Sequence, residues 1–100
     1  MDQSEAVKGA ATAGVTTVTV LFFARLREVL GCEHERVSLP PGLQTVAALR
    51  DHLRARGGPW EAELGARKAV RVAVNQDMAD AGTPLIDGDE VAFFPPVTGG

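Results

Sequence analysis

A single long amphipathic stripe limits what this 100-residue chain can become. In VAALRDHLRAR, Val46, Leu49 and Leu53 recur at helical spacing, while Arg50, Asp51, Arg54 and Arg56 mostly fall off that stripe. Thr45 is placed to cap the helix, and Gly57-Gly58-Pro59 stops it. Most of the remaining patterned sequence reads as strand. One apolar stripe covers one face of one sheet, so the pattern predicts an α+β layer.

The strands follow from alternation. VTTVTVLFF (Val15 to Phe23) is β-branched and aromatic, with Val18, Val20 and Phe22 on one face and Thr17, Thr19, Leu21 and Phe23 on the other. Ala24 to Leu30 is a short helical turn closed by Gly31. Glu35 to Leu39 is a second strand with Val37 and Leu39 inward, and its short connection makes it an antiparallel neighbour of the first. After the helix, Trp60 to Leu64 forms a short helical segment that caps the core with Trp60 and Leu64. Ala69 to Asn75 is a strand with Val70, Val72 and Val74 inward, and Asn75-Gln76-Asp77 is a turn. Met78 to Leu85 is irregular or a short edge strand, and Asp87-Gly88-Asp89 is a turn. Glu90 to Phe94 is the last strand, with Val91 and Phe93 inward and Ala92 and Phe94 outward.

That order is the β-grasp, or ubiquitin-like, architecture: a mixed sheet with one main helix packed on one face. Its first and last strands lie parallel at the centre, and the face away from the helix is partly open. Phe23 and Phe94 point to that open face, unless Trp60 or the Met78 segment closes it. Three divisions are expected: a disordered leader over 1–14, the domain over 15–95 and an extended tail over 96–100.

Charge and composition exclude several functions. A net charge of −3 and a pI near 5.3 offer no basic stripe for nucleic acid. No run of 18 apolar residues occurs, and the first residues include Asp2, Glu5 and Lys8 without a signal-peptide core. Cys32 is the sole cysteine, which fits a reducing compartment, so a cytoplasmic location is expected.

The chain ends VAFFPPVTGG. Pro95-Pro96 stops the last strand, because proline lacks an N–H for the ladder and fixes φ. Gly99 and Gly100 have no side chain and could thread a slot too narrow for other residues. From Pro95 the tail reaches at most about 20 Å. Physics alone leaves two readings open, a frayed terminus or a tail whose terminal carboxylate reacts.

LFFARLREVLG, AVNQDM and LIDGDEVAFFPPVTGG together resemble the small subunits of molybdopterin synthase, a family of ubiquitin-like sulfur carriers in molybdenum-cofactor synthesis. The resemblance runs from about Val18 to Gly100. It implies that an ATP-dependent activating enzyme adenylates Gly100 and that a sulfur donor converts it to a thiocarboxylate. Val97, Thr98 and Gly99 would form the tail that enters the large subunit. The sulfur would pass to a cyclic pyranopterin monophosphate precursor, with two charged carriers used per dithiolene. The implied assembly is a heterotetramer with a large-subunit dimer that carries the acid–base groups, so this chain is not an enzyme by itself. No cofactor or metal is expected on it. Phe23, Met78 and Phe94 are the expected partner-binding patch.

Other candidates are weaker. Cys32 is flanked by Glu33 and Glu35, which disfavour a thiolate, and Cys32-x-His34 has no second pair to complete a metal site. His52 sits among polar helix positions, and no P-loop pattern occurs. Asp87, Asp89 and Glu90 could meet basic groups of a partner, with a solvated turn the plainer reading. Two alternatives stay open: a ubiquitin-like modifier joined through Gly100 to lysines, and a sulfur carrier for thiamine or cysteine synthesis.

Overall fold

Alternating burial runs along β1 (Thr16–Phe22), where Thr16, Val18, Val20 and Phe22 are buried and the residues between them are half-buried. The computed structural model describes residues 14–65 and 69–95. The expected leader apart from Gly14, and the whole tail 96–100, therefore lie outside the described residues. Phe23 leaves the strand to become the N-cap of helix α1 (Ala24–Leu30), still in extended geometry at φ −120° and ψ 156°. α1 turns Leu26 and Leu30 inward and ends at Gly31. At φ +67° Gly31 takes the left-handed conformation that costs an L side chain energy, and its N–H reaches Arg27 O at 3.0 Å. β2 (His34–Leu39) then returns antiparallel to β1, with Val18 opposite Val37.

Helix α2 (Val46–Arg54) forms where the apolar stripe predicted it. The Thr45 hydroxyl accepts from Ala48 N at 3.2 Å, and Val46, Leu49 and Leu53 are buried. Two further N–H groups of its first turn find loop carbonyls: Val46 N donates to Thr83 O and Ala47 N to Ala81 O, each at 3.0 Å. Helix α3 (Pro59–Leu64) has proline in its first turn, where no N–H is missed, and buries Leu64. Arg50 ties the end of α3 to α2, its Nε donating to Leu64 O and its Nη2 to Gly65 O at 2.7 Å each.

β3 (Arg71–Val74) and β4 (Asp77–Met78) are a hairpin joined by Asn75 and Gln76, at φ 50° and 74°. A two-residue loop with both residues at positive φ matches the right-handed twist of the strands it joins. β5 (Glu90–Phe94) completes a five-stranded sheet of order β2-β1-β5-β3-β4. β5 is parallel to β1 and antiparallel to β3. One hydrophobic cluster joins the three helices to β1, β2, β3 and β5. This is the expected α+β, β-grasp arrangement.

Some details differ from the sequence expectation. Val70, Val72 and Val74 all face the core as expected, Val72 buried and the other two half-buried. β3 is next to the sheet edge, and the two-residue β4 is too short to cover it. Asp87 and Gly88 form the expected exposed turn, but Asp89 does not share its solvation. Asp89 is 7% exposed and accepts from Asn75 Nδ2 at 2.8 Å and Ile86 N at 2.9 Å. Asp87 Oδ1 accepts from Thr17 N at 2.8 Å. These carboxylates hold the turn before β5 against the β3–β4 hairpin and the start of β1. Glu90 N, in turn, donates to Asn75 Oδ1.

Candidate functional site

The parallel pairing of β1 with β5 brings two distant aromatic residues together. Phe22 opposes Phe93, so the next residue along each strand, Phe23 and Phe94, meet on the other side of the sheet. Phe23 N donates to Phe93 O at 3.2 Å, which keeps the two chains in step at this point. Phe23 is 47% exposed and Phe94 half-buried. Leu21 opposes Ala92, Ala92 opposes Ala73, and Ala73 opposes Met78, so a second apolar row lies beside the first. Met78 ends that row on the edge strand, 59% exposed.

Neither expected means of closing this face is realised. Trp60 packs on the helix side, edge-on to Phe22 with ring centroids 5.4 Å apart. Met78 belongs to the open face rather than covering it. The three residues expected to contact a partner thus share one surface, at the end of the sheet where Pro95 leads to the tail. The reactive end itself, Val97, Thr98, Gly99 and Gly100, lies outside the described residues.

The other chemistry-bearing groups are held in structural contacts. Glu35 and Arg56 form a two-pronged ion pair, with Nη1 to Oε1 at 2.8 Å and Nη2 to Oε2 at 2.5 Å. Arg56 also lies over the Trp60 ring, its Cζ 4.4 Å from the centroid. The hydrogen bonds from Arg56 hold the Glu35 carboxyl below its usual pKa. The Cys32 thiol donates to His34 O at 3.4 Å and lies 3.9 Å from Glu35 Oε1. Burial first, and then the Glu35 charge, push its pKa up, which disfavours the thiolate. His52 is exposed on α2. Among the described residues no cluster of three or more His, Cys, Asp or Glu is placed to hold a metal. No helix among them is long and apolar enough to cross a membrane.

A cavity of about 350 Å³ opens on the helix side, between α2 and the β3–β4 edge, with Val46, Val72, Ala79 and Phe93 in its lining. Its charged rim is largely engaged, since Arg50 holds backbone carbonyls and Arg54 pairs with Asp51 and Glu61 at 3.2 Å each. It lies on the helix side of the sheet, and its mouth reaches the sheet edge at Arg71 and Met78.

Known proteins resemble this chain in sequence and in fold. The model of the ThiS family matches residues 20–100. The chain is 47% identical to the molybdopterin synthase sulfur carrier subunit of Escherichia coli K12, over 83% of this chain and 99% of that one. The solution structure of the HVO 2177 protein of Haloferax volcanii superimposes with a TM-score of 0.72 at 28% identity, covering 87% of this chain and 89% of that one. The crystal structure of small archaeal modifier protein 1 of the same organism does so with a TM-score of 0.60 at 31% identity, covering 82% and 99%. The chain belongs to the ThiS family, among relatives that are molybdopterin synthase sulfur carrier subunits.

Proposed function

We propose that this protein carries sulfur, as a thiocarboxylate on Gly100, to a pyranopterin precursor in molybdenum-cofactor synthesis. The observation that carries the reading is the match to the Escherichia coli sulfur carrier subunit, which spans 99% of that relative. A free carboxylate is a poor electrophile, because its oxygen is a poor leaving group. An ATP-dependent enzyme adenylates Gly100 and makes AMP the leaving group. A sulfur donor then displaces AMP. The large synthase subunit receives the tail and supplies the acid–base groups, in a heterotetramer. This chain supplies the sulfur and the docking face of Phe23, Met78 and Phe94.

The direct experiment is copurification with the large subunit, followed by fragmentation of the C-terminal peptide in a mass spectrometer. The charged form should be roughly 16 Da heavier, the same shift as oxidation of Met78, so fragment ions must place it on Gly100. Sulfur on Cys32, or a carrier that never engages a large subunit, would overturn the proposal. The likeness to small archaeal modifier protein 1 favours a second reading, in which Gly100 is joined to target lysines. Isopeptide-linked products in a lysate would mark that activity.

A further inference from the structure

We infer that Arg71 is a specificity-determining residue of the aromatic face, and that the partner seated there sets a carboxylate against it. The inference rests on the proposed carrier reading, which supplies the partner as the large synthase subunit.

The arginines of the described residues divide sharply. Arg25 pairs with Glu63, Arg27 with Glu33 at 3.7 Å, Arg54 with Asp51 and Glu61, and Arg56 with Glu35. Arg50 holds the end of α3. Arg36 and Arg71 are both exposed, and their side chains have no hydrogen bond or ion pair among the described residues.

Their positions decide between them. Arg71 opposes Phe94 in the β3–β5 ladder, in the row that ends at Phe23 and two residues along β3 from Ala73. It stands at the rim where this face meets the mouth of the helix-side cavity. A partner covering Phe94 and Met78 takes water from the guanidinium, and a desolvated cation without an acceptor opposes binding. A carboxylate is the acceptor whose geometry fits, because it takes two parallel N–H bonds from the guanidinium fork. Arg36 shares this face but lies far from the aromatic pair, in the row of Thr19 and Glu90, four residues back along β1 from Phe23. It sits on the edge strand β2 among polar neighbours and keeps its water. On a chain of net charge −3, Arg71 is a local cation that orients the encounter as well as holding the complex.

The test is titration of the full-length carrier against the large subunit at low and high salt. Arg71→Met keeps much of the apolar stem and removes the charge, so affinity should fall about tenfold and its salt dependence should shrink. Arg71→Glu should weaken binding by on the order of a hundredfold, with an unchanged melting temperature because the side chain is exposed. A large-subunit variant with the facing carboxylate replaced by lysine should restore binding to Arg71→Glu. If both Arg71 variants bind like the unaltered carrier while Phe94→Ala binds weakly, the assignment of Arg71 falls and the carrier reading stands. An equal loss from Arg36→Glu would reduce the effect to net charge and overturn the assignment. A salt-sensitive carrier dimer lost in Arg71→Glu, with the large subunit unaffected, would give the face to a second copy and overturn it as well. If the unaltered carrier does not bind the large subunit at all, the carrier reading fails and takes this inference with it.

Discussion

Phe93 and Phe94 are consecutive in β5 and face opposite sides of the sheet. Phe93 is 1% exposed and stacks on Phe22 with ring centroids 6.1 Å apart, while Phe94 is half-buried beside Phe23. Truncating them should separate folding from docking. Phe93→Ala should cost about 3–5 kcal/mol of stability in denaturant titration, as for other core phenylalanines. Phe94→Ala should cost about 1 kcal/mol of stability but about 2 kcal/mol of affinity for the large subunit. Equal damage to folding, with no change in affinity, would reverse the assignment of faces.

The Glu35–Arg56 pair makes stability depend on acid. Glu35 has a lowered pKa in the folded protein, so the folded state resists its protonation more than the unfolded chain does. Its contribution is complete above the unfolded value, near 4.5, and disappears as pH falls through the folded value. Both side chains are about a third exposed, so solvent screening limits the pair to about 1 kcal/mol. Glu35→Gln should therefore melt lower than the unaltered protein at neutral pH, and the gap should close in acid. A gap that widened on acidification would contradict the pairing.

Asp89 offers a test of the turn before β5. Its carboxylate bonds both Asn75 and the Ile86 N–H in a site nearly closed to water. Asp89→Ala leaves those donors without their partner and should cost about 1–3 kcal/mol in thermal or chemical unfolding. A neutral result would show that water replaces the carboxylate there.

Loss of Gly100 should spare folding and abolish turnover. A chain ending at Gly99 keeps a glycine carboxylate but stops about 3.5 Å short. A misplacement of about 1 Å can already cost roughly a hundredfold in rate. The truncated carrier should still bind the large subunit while yielding almost no dithiolene product in a reconstituted assay. Full activity would remove Gly100 from the reaction.

Deleting residues 1–13 should change stability by less than about 0.5 kcal/mol. Gly14 should be kept. Gln44 Nε2 donates to its carbonyl, its φ is +84°, and a Cβ there would meet Pro41 Cγ at 2.9 Å. A large loss from the 1–13 deletion would show that this segment packs on the domain.

Much of this arrangement was legible because regular elements repeat. The period of two in β1 and β5 sorted Val18, Val20 and Phe22 from Leu21, and Phe93 from Phe94. The helical spacing of Val46, Leu49 and Leu53 gave the buried side of α2. β4 was harder to read, because a strand of two residues has no period, and Met78 could only be left between irregular and edge strand. Val70 and Val74 do face inward and pack against the core, but only half-buried, since alternation reports which face a side chain takes and says nothing of how well neighbours cover it. Asp89 was missed because Asp-Gly-Asp signals a turn equally well whether its carboxylates meet water or backbone. Its partners, Asn75 and Ile86, come together only in the folded chain. That the Arg71 side chain has no partner among the described residues is likewise invisible in sequence, as it depends on where the carboxylates end up.

The position of β5 has a mechanical consequence. The strand that runs into the tail lies between β1 and β3, hydrogen-bonded along both sides, with Phe93 anchored beneath it. A pull on Pro95 along the strand therefore loads both ladders in shear, with many bonds resisting together. A tail rooted in an edge strand would instead let its bonds open one at a time. The domain is thus a rigid handle, in which a load applied at Pro95 meets the whole of both ladders before the sheet can unravel.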